Sequence, residues 1–184
     1  MMKRVSILLL CLCLLPVLAL AEETSAALLP QPGITLRINE IMASNHETLE
    51  DSFGKTPDWV ELYNAGDTAC DLSGMALSDK KSELDRYEFP NGTVLQPGEY
   101  LIVFASGLKR NVADELHTPF KLSAKGENLY LTQNGTLVDM VSFPAMGQDV
   151  SYARDEAGVF QLTSSPTPMA QNVITPAEEA DHDQ

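Results

Sequence analysis

The residues with the strongest claim to chemistry lie between Asn45 and Asp85, where carboxylates are dense: Glu47, Glu50, Asp51, Asp58, Asp67, Asp71, Asp79, Glu83 and Asp85. Hard cations such as calcium take roughly six to eight oxygen ligands from groups of this kind. The loops Asn45 to Asp58 and Asp79 to Asp85 offer them, although no D-x-D-x-D-G loop is present and scattered acids more often form a solvated face. Calcium is therefore the one ion with candidate ligands, and no other cofactor is expected. A second constellation is Trp59, Glu61 and Tyr63, spaced by two. On an exposed face they would make a stacking platform for a sugar or peptide. The competing expectation is that Trp59 packs over a sheet edge, as large aromatics are mostly buried.

Nucleophilic catalysis finds little support. Ser78 to Lys81 matches S-x-x-K, but the companion S-D-N and K-T-G elements are missing and Ser78 opens a polar loop. No G-x-S-x-G elbow occurs. His46, His117 and His182 show no zinc spacing with one another or with cysteine. His117 reads as a packing and hydrogen-bonding residue where a strand begins. Cys70 reads as a small half-buried residue beside a turn. Asn91-Gly92-Thr93 and Asn134-Gly135-Thr136 match the glycosylation sequon, yet both are better explained as turns.

The elements that must position these residues are short strands. Trp59, Glu61 and Tyr63 fall on one side of an extended segment and Val60 and Leu62 on the other, and Asn64 to Asp67 supply the turn that follows. Ile34, Leu36 and Ile38 alternate, but the next apolar residue is Ile41, so a β-bulge is expected across Asn39 and Glu40. Met75 and Leu77, Arg86 to Phe89, and Thr93 to Leu95 read as further strands. Tyr100 to Phe104 is apolar on both parities and reads as a central strand. Leu129 to Leu131 and Leu137 to Phe143 are joined across Gln133-Asn134-Gly135, a hairpin signal. Ser106 to Glu115 reads as a long loop or one helical turn, and Tyr152 and Phe160 as a final irregular strand. Apolar runs at this spacing predict an all-β sandwich or barrel.

Five blocks in order, INEIMASN, DWVELYN, DLSGMALSD, LHTPFKLSAKGENLYL and the PTP before Asn172, resemble the bacterial lamin-tail domain family over Ile34 to Asn172. The resemblance implies an immunoglobulin-like β-sandwich of lamin-tail type without catalytic residues of its own. One departure stands out, because Met169 replaces the glycine usual after PTP.

Met1 to Arg4, the apolar run Val5 to Leu20 and Ala19-Leu20-Ala21 before Glu22 read as a secretory signal peptide cleaved between Ala21 and Glu22. The run is shorter than the roughly 20 residues of a bilayer span and contains Pro16, so no stable membrane insertion is expected after its removal. The predicted organisation is a signal peptide at 1–21, a linker at 22–33, the sandwich at 34–172 and an acidic disordered tail at 173–184. The whole chain has 184 residues and a net charge of −14; without the signal 10 basic side chains face 26 acidic ones, and Cys70 is the lone cysteine. Nucleic acid, held mainly by Lys and Arg, is not an expected partner. The sequence thus points to a secreted, non-enzymatic interaction or scaffolding module whose partner is a protein or a surface glycan. A calcium- or glycan-binding adhesion module, or a secreted hydrolase with an unrecognised site, is the alternative.

Overall fold

A computed structural model describes residues 35–112 and 114–177. The expected signal peptide, its cleavage site at Ala21 and Glu22, the linker and the end of the tail lie outside those residues. Twelve strands form the described part: β1 Leu36–Met42, β2 Asp58–Asn64, β3 Cys70–Asp71, β4 Met75–Ser78, β5 Tyr87–Glu88, β6 Val94–Leu95, β7 Tyr100–Ala105, β8 Leu116–His117, β9 Glu127–Gln133, β10 Thr136–Phe143, β11 Ser151–Arg154 and β12 Phe160–Thr163. They assemble into a six-stranded sheet in the order β12-β11-β1-β2-β7-β8 and a four-stranded sheet in the order β10-β9-β4-β5, with β3 and β6 paired apart.

Between the two larger sheets lies the core. Leu36, Ile38, Ile41, Val60, Leu62 and Val103 enter it from one side, and Met75, Leu77, Leu129, Leu131, Val138, Val141 and Phe143 from the other. Burying such side chains is worth roughly 1.5–3 kcal/mol each against exposure and drives the two sheets together. The expected bulge is present: the register of β1 against β2 slips between Ile38 and Glu40. A second slip lies between Leu137 and Asp139 on β10. The two irregularities meet. Asp139 accepts the Ile38 amide at 2.9 Å and pairs with Arg154, whose Nε donates to the Ile38 carbonyl at 2.8 Å. Both main-chain groups of Ile38, beside the bulge, are thereby met by side chains.

Asn64 shows what the turn after β2 requires. It is fully buried, and its amide donates to the Thr68 and Leu95 carbonyls while its oxygen accepts from Gly66 N and Thr35 Oγ1. The β9–β10 hairpin turns on two residues, Asn134 at φ 49° and Gly135 at φ 78°, the positive-φ pair that a type I′ turn demands. Two expectations need correction. The final irregular strand is a hairpin, β11 with β12, because Ser151 to Arg154 pair in full with Phe160 to Thr163. Residues 173–177 of the expected disordered tail run beside β12, held by Thr163 Oγ1 bonding Val173 O and Thr175 N and by the Thr163–Pro176 bridge.

Gly126, in the turn before β9, has φ +88°, and a Cβ there would stand 2.6 Å from the Phe143 carbonyl oxygen and 2.9 Å from the Pro144 carbonyl carbon. Those neighbours are backbone atoms of the adjoining segment and cannot swing aside. Gly126→Ala is expected to lower stability by about 2–4 kcal/mol, read as a lower urea midpoint at unchanged slope.

Candidate functional site

The face of the six-stranded sheet turned away from the core carries three cross-strand rows. Arg37, Tyr63 and Tyr100 stand opposite one another on β1, β2 and β7; Glu40, Glu61 and Ile102 form the next row; Met42, Trp59 and Phe104 the third. The predicted alternation of β2 is therefore correct, but both of its faces are covered. Met42, Trp59 and Phe104 pack with Leu49 and Ile102 in a second apolar cluster. Leu49 arrives on a loop knotted by Asn45, whose amide donates to Leu49 O at 2.7 Å and Pro57 O at 2.8 Å. Asp149 braces the same loop from a distance by accepting His46 N, Glu47 N and Thr48 Oγ1.

The carboxylate row is closed by a different segment. After β12 the chain passes over Glu40 and Glu61 as a strap. Glu40 accepts from Ser151 Oγ and from the Thr167 amide, and Glu61 from Asn39 Nδ2 at 2.9 Å and from the Met169 amide. Asn172 fastens the strap to the bulge by donating to Asn39 O at 3.2 Å and Arg154 O at 2.8 Å. Met169 occupies φ 64°, the left-handed conformation that glycine would adopt without strain, so the strap keeps a glycine-like bend at a non-glycine residue.

Trp59 and Glu61 are both 0 % exposed, so with Tyr63 they do not form an open stacking platform. Loop 43–57 covers the tryptophan and the strap covers the carboxylate. Tyr63 alone reaches an accessible place. Its ring lies 4.6 Å from the Tyr100 ring, tilted by 31°, and under the Arg37 guanidinium at 5.1 Å, at the wall of a polar cleft of about 360 Å³ that Asn39, Arg154 and Asn172 also line.

The candidate calcium acids are dispersed among structural duties. Asp51 accepts Phe53 N and Lys55 N, Asp71 accepts Ser73 N, and Asp79 pairs with Arg86. Among the described residues no group of three or more His, Cys, Asp or Glu is arranged to hold a metal ion. Cys70 is half-buried against the core, where burial pushes its thiol up.

Ser106, His117 and Glu115 come closest to a catalytic constellation, and spacing along the chain carries no signal for it. His117, fully buried and stacked on Phe104, has Nδ1 3.0 Å from Ser106 Oγ and Nε2 3.4 Å from Glu115 Oε2. An activated serine also needs donors for the developing oxyanion. The two amides after Ser106 are spent, Gly107 N on Phe120 O and Leu108 N on Ser106 Oγ itself. The trio braces β8 against the end of β7, in the packing role expected of His117. Beside it opens a groove of about 660 Å³ between the 51–58 loop and residues 105–112, lined by Phe53, Lys55, Leu108, Arg110, Val112 and Lys121. The described residues of loop 106–115 contain no helical turn; an isolated bridge joins Val112 to Glu115.

Two antiparallel-rich sheets packed face to face around one core, with polar side chains committed to loops and strand edges, define an immunoglobulin-like β-sandwich. The sequence model of the Lamin Tail Domain family matches residues 30–145, well over half of the chain, and the protein belongs to that family. The matched range stops short of the resemblance read through Asn172, so β11, β12 and the strap lie beyond it. Comparison with curated proteins gave no match.

Burial, with Glu40 opposite, pushes the Glu61 carboxyl from 4.5 up to about 7, against the bonds from Asn39 and Met169. Burial likewise raises Glu40 against its bonds from Ser151 and Thr167. The folded protein holds these protons more tightly than the unfolded chain, so the stability they contribute is complete below about pH 4.5 and is lost as pH rises through about 7. The free energy of unfolding is expected to increase by on the order of 1–3 kcal/mol as pH falls from about 8 to about 5. Glu61→Gln should flatten that slope in urea titrations run across the same range. Met169→Gly should raise stability by about 0.5–1 kcal/mol in the same assay, because the left-handed strain disappears and the side chain, 56 % exposed, gives up little packing.

Proposed function

We propose that the protein is an exported, non-enzymatic interaction or scaffolding module that contacts its partner through loops. The observation that carries this reading is family membership on a sandwich whose Ser106–His117–Glu115 trio and carboxylate row are consumed by internal hydrogen bonds. Fold alone does not set function, so the argument rests on what those side chains already bond. Export is supported by Lys3, Arg4, the apolar run Val5 to Leu20 and Ala19-Leu20-Ala21 before Glu22. The charge of −14 supports a protein or glycan partner over nucleic acid.

A glycan reading draws on one specific feature, the cleft beside Tyr63 and Tyr100, where aromatic edges, the Arg37 guanidinium and the Asn39 and Asn172 amides are gathered. Calcium dependence remains part of that reading. Two measurements test the proposal. The exported protein should begin at Glu22 by N-terminal sequencing, and an intact Met1 would overturn export. Purified protein should turn over no ester, phosphate or glycoside panel, while cross-linked pull-downs from the cell surface, with and without calcium, recover a protein or glycan. Hydrolysis abolished by Ser106→Ala would sink the non-enzymatic reading.

A further inference from the structure

We infer that the groove between the 51–58 loop and residues 105–112 docks an acidic peptide segment of a partner protein, one that presents a bulky apolar side chain flanked by Asp or Glu. The inference rests on the interaction-module reading and names the site and the partner chemistry that reading leaves open. The groove, at about 660 Å³, is of a size that binding sites for small molecules and short peptide segments occupy.

Its apolar surface stays open to solvent. Phe53 is 55 % exposed and Leu108 37 % exposed, two of the few large apolar side chains left outside either apolar cluster. Each comes from a different loop, so an inserted apolar side chain would be gripped from two sides. Anchoring of that kind commonly carries most of an interface's binding energy.

Charge supplies the second observation. The chain holds 26 acidic against 12 basic side chains, yet the solvent-facing charges that line this groove, Lys55, Arg110 and Lys121, are all cationic. Among the described residues none of the three takes part in an ion pair. Of the two acids at the groove, Asp51 is buried and Asp58 half-buried. Asp51 is 8 % exposed and accepts the Phe53 and Lys55 amides at 2.9 Å, and Asp58 accepts Asn45 N at 3.2 Å. Burial also pushes the Asp58 carboxyl up, against the Asn45 amide and the nearby Lys121 charge. A cationic rim around an apolar floor complements an anionic, apolar segment and repels a basic one. On a strongly acidic protein this is a local inversion of the surface charge.

The test is a random peptide library displayed on phage and panned against the purified protein. Selected peptides are then synthesised and titrated by fluorescence anisotropy against wild type, Arg110→Glu and Leu108→Ser. All three proteins should unfold at similar temperatures, because both substituted side chains are exposed. The expected result is enrichment of Asp and Glu around a bulky apolar residue, with affinity falling about tenfold in each variant and with added salt. Acidic peptides that bind both variants as well as wild type overturn the groove assignment and leave the interaction reading standing. Enrichment of nothing overturns the peptide proposal, while the cell-surface pull-down decides the interaction reading separately. Dodecanoate bound at the groove and lost in Leu108→Ser, without peptide enrichment, assigns the site to an anionic amphiphile and overturns the peptide proposal.

Discussion

A β-bulge at Asn39 turns two consecutive polar side chains, Asn39 and Glu40, to the outer face of the six-stranded sheet, where Glu40 stands opposite Glu61. Like charges directly opposed across strands destabilise a sheet, and burying them costs more. The structure answers with hydrogen-bond donors: Ser151 and the strap amides of Thr167 and Met169, with Asn39 from the bulge itself. Much of the C-terminal third follows from this constraint. The strap must cross the sheet, Asn172 must fasten it to the bulge, and Met169 must bend through a left-handed conformation so that its amide reaches Glu61. Beside the bulge the Ile38 amide and carbonyl are met by side chains, Asp139 from the facing sheet and Arg154 from β11. One extra residue in β1 thus ties both sheets and the last hairpin together.

Covering of the outer face is graded along β1, β2 and β7. The apolar row around Trp59 lies under a loop organised by Asn45 and Asp149, the carboxylate row under the strap, and the Arg37–Tyr63–Tyr100 row stays partly open. Past the apolar row, at the ends of β2 and β7, the loops part and leave the cationic groove. A side chain in either closed row is committed to stability, whereas the charged ends of Lys55, Arg110 and Lys121 form no ion pair among the described residues. This division leaves loops carried by a rigid scaffold open for the proposed interaction, a common arrangement in β-sandwiches.

Local physics makes several elements legible from spacing alone. The alternation of DWVELYN names β2, the three-residue step from Ile38 to Ile41 requires a bulge, and Asn134-Gly135 is the pair a two-residue hairpin needs. Each depends on side-chain parity or backbone φ within a few residues. Parity puts Trp59 and Glu61 on the correct face, but it says nothing of what covers that face. Their covers come from residues 45–49 and 167–172, and no periodicity relates such distant stretches. The first residues of the acidic tail escape a compositional reading for a like reason: low apolar content hides main-chain bonds to the edge of β12.

The sequence by itself therefore determined most of the strands, the faces of β2, the bulge and the family, because those are written in spacing, turn chemistry and ordered motifs. Tertiary structure alone decided which face is sealed, that Ser106, His117 and Glu115 meet, and that three scattered cations share one groove. These are consequences of contacts closed over long loops, where the position of a side chain is set by what packs on it and not by its neighbours in the chain.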